Sequence, residues 1–386
     1  MKKVESQLYS LLASVCLKMA AHQQLILSVR ITVLSFNFRR FASHYDYIKQ
    51  ENVWQDFAKE ISKNLTIRNG VACDYTAILN DDSGIDIASL GEAVLDTTNL
   101  KIGGEFVPPN CKPSFSTAII VPYRDRDKQL KDFLTYIHMF LGKQNIHYRI
   151  YIVEQDDGKP FNRAKLLNIG SVIAIQHGFP CLVLHDVDLL PLKLKNLYAC
   201  TKSPRHMSAS IDKHRFNLPY KELFGGAVSL LSEQFVAANG MSNRYFGWGG
   251  EDDDLYQRLR EISLTPVRLE PQVSVYSMMR HQNQLPSPER KALLAQASLR
   301  YAIDGLNSLT FIEKSTKLHP LFTHIDLYHI FSIKRFHLHL GKQNIRAVTH
   351  VVASHSNSLR CIRECARCKH SCVFLLQRYC VIGNLA

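Results

Sequence analysis

Residues Phe246 to Leu259 (FGWGGEDDDLYQRL) set two glycines between a tryptophan and four consecutive acids, Glu251, Asp252, Asp253 and Asp254. Leu255, Leu259 and Ile262 follow at helical spacing, which predicts a glycine-hinged loop entering a helix with an acidic first turn. Carboxylates at that place can simply cap a surface helix, because the macrodipole favours them there. A second acidic motif, HDVDLLP (His185 to Pro191), follows the apolar run CLVL and so falls at the end of a buried strand. Arginines lie near other strand ends, and Met278 and His281 form a Met-x-x-His pair after a further apolar segment. Carboxylates, a sulfur–imidazole pair and guanidinium groups at one sheet edge suit a metal-bound, phosphate-bearing donor.

Regular elements must hold these groups. Ala118 to Val121 is a continuous apolar run, as in a strand buried on both faces, and Pro122 ends it. The next segment, DKQLKDFLTYIHMFL, carries apolar residues at 130, 133, 134, 137 and 140, a helical face. Arg149 to Gln155 reads as a second strand, Asn162 to Gln176 as a second helix, and CLVLHDVD as a third strand. Strand–helix–strand–helix–strand at this spacing predicts a doubly wound α/β sheet that binds ligands beyond the carboxyl ends of its strands. PYRDR, FNRAK and HDVD all fall at such ends. Further on, GGAVSLLSEQFVAANG predicts a strand and a short helix, and PQVSVYSM another strand. His281 to Gln296 is polar with two prolines and predicts a mobile loop; DGLNSLTF and HPLFTHIDLYHI predict closing strands.

The chain has 386 residues, 46% hydrophobic and 21% charged, the balance of a globular protein with a sizeable core. Its formal net charge of +13 is uneven: residues 331–386 hold nine Lys and Arg against Glu364 alone. The body is therefore only mildly basic, which argues against a nucleic-acid partner. Three regions are expected: a lead-in or stem over 1–70, a regular domain over 71–330 and a basic tail over 331–386. Leu8 to Phe36 is apolar-rich, but Lys18, His22, Gln23, Gln24 and Arg30 interrupt it. A degenerate signal anchor and an amphipathic helix both fit that pattern. In the tail, Cys361, Cys365, Cys368 and Cys372 with His370 superficially resemble a zinc site, but the first gap and the flanks favour an unstructured segment. LGKQNI occurs at 141–146 and again at 340–345, too short a repeat for a solenoid. Cys181 and Cys200 flank HDVD; a bridge and two buried free thiols are both compatible with the spacing. Asn64-Leu65-Thr66 is the single N-glycosylation sequon and agrees with secretory passage.

PYRDR, FNRAKLLNIG, HDVDLLP, LPYKELFGG, FGWGGEDDD, MMRH and DGLNSLTF occur in order over roughly 100–327, and in that order they resemble the β-1,4-galactosyltransferase family. The resemblance implies a GT-A fold, an inverting hexosyltransferase dependent on Mn2+, and a Golgi membrane protein with a lumenal catalytic domain. It implies Asp188, Met278 and His281 as metal ligands. Arg124, Arg126, Phe161, Arg163, Asp186, Val187 and Lys213 match donor-binding positions, and Trp248 matches a mobile loop tryptophan beside them. Asp252 matches the catalytic base. Tyr220, Gly250, Glu251, Asp253 and Arg290 match acceptor and sugar positions. Cys181–Cys200 matches a family disulfide, and Cys111 matches a half-cystine whose partner is not placed. Leu223 stands where galactose-using vertebrate members carry Tyr. A smaller aliphatic side chain there makes room for a 2-acetamido group and favours UDP-GalNAc over UDP-Gal; packing alone is the other reading. The implied acceptor is a GlcNAc-terminated glycan, although Lys291 replaces an aromatic of the family's acceptor site. An inactive carbohydrate-binding relative is the reading from another class, opposed by intact Asp252, Asp188 and His281.

Overall fold

The computed structural model describes residues 47–48, 52–66, 70–84, 87, 95–282 and 284–329, together with the backbone of 337–340 and 343–346. The cysteine-rich part of the tail and the apolar stretch 8–36 lie outside the described residues.

The first long strand, β1 (Ser116–Tyr123), is buried along its whole length. Its side chains alternate, Ile119 and Val121 entering one hydrophobic cluster and Ala118 and Ile120 the other. Helix α1 (Asp127–Leu141) covers the first face with Phe133, Ile137 and Phe140. Strand β2 (His147–Gln155) pairs with β1 in parallel, and β3 (Cys181–His185) does so on the other side. Between them, α2 (Arg163–Gln176) packs on the second face and is buried on nearly every side, so its sequence lacks an amphipathic stripe. Gly170 allows the close approach: a Cβ there would lie 2.5 Å from Ile120 Cγ2.

Beyond the HDVD turn come short strands β4 (Leu189–Pro191), β5 (Arg205–His206) and β6 (Ser210–Ile211). Then follow β7 (Ala227–Leu231), α3 (Ser232–Ala237), α4 (Glu251–Glu261) and β8 (Val275–Met278). Helices α5 (Arg290–Ala295) and α6 (Ala297–Arg300) precede β9 (Ile312–Leu318) and β10 (Thr323–His329). The main sheet runs β9-β10-β2-β1-β3-β7-β5. Its four central strands are parallel, and its outer strands are antiparallel. A second sheet, β4-β8-β6, stands apart from it and sets Met278 opposite Leu189, next to Asp188.

Two expectations are corrected. DGLNSLTF is not a strand: Leu306–Ser308 forms a 3-10 turn. Gly305 packs so tightly on the Asn239 carbonyl that a Cβ would overlap it, and Ser308 Oγ accepts the Gly305 N–H at 3.0 Å. Local bonding of this kind competes with a strand ladder. The polar stretch after His281 is not all loop, since α5 occupies Arg290–Ala295.

The core also draws on residues well upstream. Val53 and Phe57 are buried with Tyr75 and Phe115, and the Tyr75 and Phe115 rings meet edge to face at 5.0 Å. Cys111 is bridged to Cys73, and Cys181 to Cys200, so the free-thiol alternative falls. Among the described residues no helix is long and apolar enough to cross a membrane.

Candidate active site

The carboxyl ends of β1, β2 and β3 open onto one edge, and α4 enters from the far side. Gly250 is the N-cap of α4 with φ 94°, a left-handed conformation that glycine adopts freely. Glycine offers no side chain to cap the helix, and backbone N–H groups of the first turn bond the Glu251 and Asp252 carboxylates. The four acids divide between two environments. Glu251 and Asp252 turn toward α2, whereas Asp254 turns into the interior.

Arg163 is the first residue of α2, whose N-cap Asn162 accepts the Lys165 N–H at 2.9 Å. Its Nε donates to Asp186 Oδ1 at 2.7 Å, and its Nη1 lies 3.5 Å from Glu251 Oε1. One arginine therefore ties the HDVD turn to the acidic helix. The other oxygen of Glu251, Oε2, is buried without a hydrogen-bond partner. Burial and the neighbouring Asp252 push the Glu251 carboxyl up to about 7, against the pull of Arg163. Asp252 is also raised, by burial first, with Arg163 opposing. Gly225 lies against the Asp252 carboxylate, where a Cβ would fall 2.5 Å from Oδ2. Asp253 accepts the Tyr220 hydroxyl at 2.9 Å, and burial pushes it up to about 6.

Asp188 Oδ2 sits 2.9 Å from His281 Nδ1 and 3.8 Å from Arg126 Nη1. Burial and Asp186 lift its carboxyl to about 6, with His281 and Arg126 opposing. Met278, half-buried on β8, and the Met279 N–H, donated to Asp188 O at 2.7 Å, fix the strand beside the turn. Among the described residues no three His, Cys, Asp or Glu side chains form a metal cluster. A carboxylate oxygen, an imidazole nitrogen and a thioether are an incomplete set that suits a cation sharing the rest of its shell with a phosphate ligand.

Arg124 stacks on Phe161, its guanidinium 5.1 Å from the ring centroid, and donates to Lys159 O at 2.6 Å. Val187 is buried in the core beneath the turn. Lys213 is exposed on a 3-10 turn at Asp212–His214, and Leu223 is half-buried on the loop that carries Tyr220. Trp248 is 55% exposed, with Arg290 over its ring at 5.8 Å. The structure thus gathers Arg163, Asp186, Glu251 and Asp252 on one side, and Arg126, Asp188 and His281 on the other.

Sequence reasoning missed the support beneath. Arg258 Nε donates to Asp254 Oδ1, and Arg258 Nη1 donates to Asp304 O at 2.6 Å. Arg300 Nη1 donates to Asp304 Oδ2 at 2.7 Å, and Tyr245 hydroxyl donates to Asp254 Oδ2 at 3.0 Å. Two buried carboxylates and two buried guanidiniums thus balance one another and anchor α4. The i,i+4 spacings of Asp254 with Arg258 and of Arg300 with Asp304 were the available signals; that the two pairs meet was not. Asp212 was also missed; it accepts the Met278 N–H at 3.0 Å and the Ser277 hydroxyl at 2.6 Å.

A mostly parallel sheet with helices on both faces, and an acidic turn and arginines at its strand ends, is the GT-A arrangement. Residues 80–201 match the family described as the N-terminal region of glycosyl transferase group 7. Residues 205–282 match the one described as the N-terminal domain of galactosyltransferase. The two matches span just over half of the chain, and the chain belongs to glycosyltransferase group 7, the β-1,4-galactosyltransferase family. It is 40% identical over 232 residues to β-1,4-galactosyltransferase 1 of Bos taurus, covering 59% of this chain and 58% of that protein. It is 40% identical over 244 residues to β-1,4-galactosyltransferase 3 of Homo sapiens, covering 62% of each. The chain thus spans about three fifths of the length of these relatives. Among solved structures, the catalytic domain of Drosophila β-1,4-galactosyltransferase 7 in complex with xylobiose is similar at a TM-score of 0.50. That match has 26% identity and covers 57% of this chain and 95% of that one.

Proposed function

We propose that the protein is an inverting, manganese-dependent glycosyltransferase that moves GalNAc from UDP-GalNAc to the 4-hydroxyl of terminal β-GlcNAc. The observation that carries this reading is Arg163, which ties Asp186 of the HDVD turn to Glu251 next to Asp252, while Gly225 leaves the Asp252 carboxylate clear of a side chain. In the proposed reaction Asp252 takes the proton of the acceptor hydroxyl as its oxygen attacks the anomeric carbon from the face opposite the diphosphate. Direct displacement converts the α-linked donor into a β-linked product, and UDP leaves. A carboxylate raised by burial is a stronger base than an exposed one, and Arg163 opposes that rise.

Arg124 with Phe161, Arg126 and Arg163 offer an aromatic face and forked donors to the uracil and diphosphate. Asp188, Met278 and His281 would hold the manganese ion, whose Lewis acidity offsets charge on the departing diphosphate. Trp248, flanked by Gly247 and Gly249 and with Arg290 over its ring, is suited to close over the acceptor and exclude water. Tyr220 and Asp253 face the same acceptor side. The two disulfides favour an oxidising compartment, and with family membership they support a lumenal Golgi location for a catalytic domain whose core reaches upstream of residue 71 to Val53 and Phe57.

UDP-Gal is the second reading, favoured by the galactosyltransferase names of the relatives at 40% identity. Leu223 favours GalNAc, because losing the phenol leaves space and removes a polar contact beside the sugar's 2-position. The full chain, secreted from an oxidising compartment and supplied with manganese and a β-GlcNAc acceptor, separates the two. Faster transfer from UDP-GalNAc supports the proposal, and Leu223→Tyr should then shift preference toward UDP-Gal. Faster transfer from UDP-Gal makes the protein a galactosyltransferase, while UDP binding with no transfer points to a carbohydrate-binding relative.

A further inference from the structure

The loop 218–226 carries Tyr220, Leu223 and Gly225, one contacting Asp253, one at the donor-selectivity position and one clearing Asp252. Its backbone is held from behind by two residues outside all seven motifs. Arg268 Nη2 donates to Lys221 O at 2.7 Å and to Leu223 O at 3.0 Å. Arg268 Nε donates to His206 Nδ1 at 3.2 Å. That acceptor role puts the imidazole proton on Nε2, which faces Gly225 O at 3.1 Å. Burial and the adjacent Arg268 hold His206 well below its ordinary range, so the ring is neutral as this network requires. Both residues are buried, and both come from short strand segments outside the loop, at Arg205–His206 and Arg268–Leu269. Three alternate carbonyls, at 221, 223 and 225, are thus gripped by one arginine–histidine pair.

We infer that Arg268 and His206 are positioning residues that fix the 218–226 loop and so set donor selectivity and the clearance around the base. This rests on the glycosyltransferase reading above. The side chains that meet the sugars project from a backbone whose carbonyls are tied down, so releasing the tie lets Leu223 and Gly225 shift together. Arg268→Met, Arg268→Lys and His206→Gln are compared in the full secreted chain by hydrogen exchange and by kcat/KM for each donor. In Arg268→Met, exchange at 219–226 should rise by about tenfold with β1 to β3 unchanged. The ratio between UDP-GalNAc and UDP-Gal should move toward unity by about threefold. Arg268→Lys, which keeps a donor, should fall between, and it reads the effect if Arg268→Met does not fold. Unchanged exchange in the loop, or equal loss for both donors in step with the folded fraction, overturns the inference. If the native chain transfers neither sugar, loop exchange still decides the clamp, and only the transfer reading fails.

An independent observation concerns Asn64. The sequon Asn64-Leu65-Thr66 lies on a turn with Asn64 and Thr66 exposed. Asn64 Nδ2 donates to His177 O at 3.0 Å, just past the last residue of α2. An amide nitrogen carries two hydrogens, so a glycan can replace one while the other keeps this bond. Arg163 opens the same helix at its other end, about 20 Å away for a helix of this length, so a glycan here stands clear of the site. The geometry points to Asn64 as an N-glycan acceptor from a lipid-diphosphate-linked oligosaccharide. Nδ2 forms the bond to the anomeric carbon, the bond from that carbon to the diphosphate breaks, the lipid diphosphate leaves, and the amide proton passes to solvent. Mass analysis of the full chain secreted from eukaryotic cells should show one glycan at Asn64, absent in Asn64→Gln, with transfer activity unchanged. Unmodified Asn64 in the folded, secreted protein overturns this.

Discussion

At the scale of single residues, the proposed transfer depends on carboxylates that burial makes more basic. Asp252→Asn should lower transfer by about 10²–10⁴-fold, the range for losing a general base, with UDP affinity retained in an equilibrium titration. Gly225→Ala should do nearly the same by sterics, because the new methyl would meet the carboxylate oxygen 2.5 Å away. Its UDP affinity, measured alongside, should again match the native protein. If Asp252 is the base proposed above it must be ionised to act, and since burial raises it, kcat/KM should fall on acidification, beginning nearer neutrality than for an ordinary carboxylate of about 4. Glu251 carries a stability cost. Its folded-state pKa is raised to about 7, so its contribution is fully present below the unfolded value and is lost as pH rises through about 7. Glu251→Gln should therefore raise the melting temperature by a few degrees at about pH 8 and hardly at all at about pH 4. Calorimetry at the two pH values checks it.

At the scale of elements, helix α4 is placed by charge balance as much as by packing. Asp254, Arg258, Arg300 and Asp304 are all buried, and removing one leaves its partners uncompensated. Arg258→Met should cost about 3–5 kcal/mol in denaturant unfolding, and a cycle with Asp254→Asn should recover part of that loss. The sequence carried the existence of α4 and its acidic first turn, but not which acid faces which way. Asp252 and Asp254 are the same residue type two positions apart. Only the neighbours supplied by α2, α6 and the DGLN turn make one a candidate base and the other an anchor. DGLNSLTF reads as a closing strand, and its first half becomes a turn because Gly305 must approach Asn239.

At the scale of the whole molecule, the disulfide Cys181–Cys200 closes a separation of 19 residues around the HDVD turn. Its loss through Cys181→Ser should cost about 3 kcal/mol by chain entropy, read as a shift of the urea midpoint. The main sheet was legible because β1 to β3 are apolar runs spaced by helical segments, and burial on both faces leaves few other patterns. The motifs at their ends were legible for the same reason, since a parallel sheet sends its loops to one edge.

Of the second sheet only the middle strand, within PQVSVYSM, was legible, because strands as short as Ser210–Ile211 have no period to detect. Nor was the partner of Cys111, since spacing alone cannot choose among cysteines. The sequence by itself determined the alternation of β1 to β3 with α1 and α2, and the residue types that chemistry could use. The tertiary structure alone decided which carboxylates are buried beside arginine, which are anchored, and which backbone carbonyls are held. Those outcomes depend on distances between segments far apart in the chain, which local pattern does not encode.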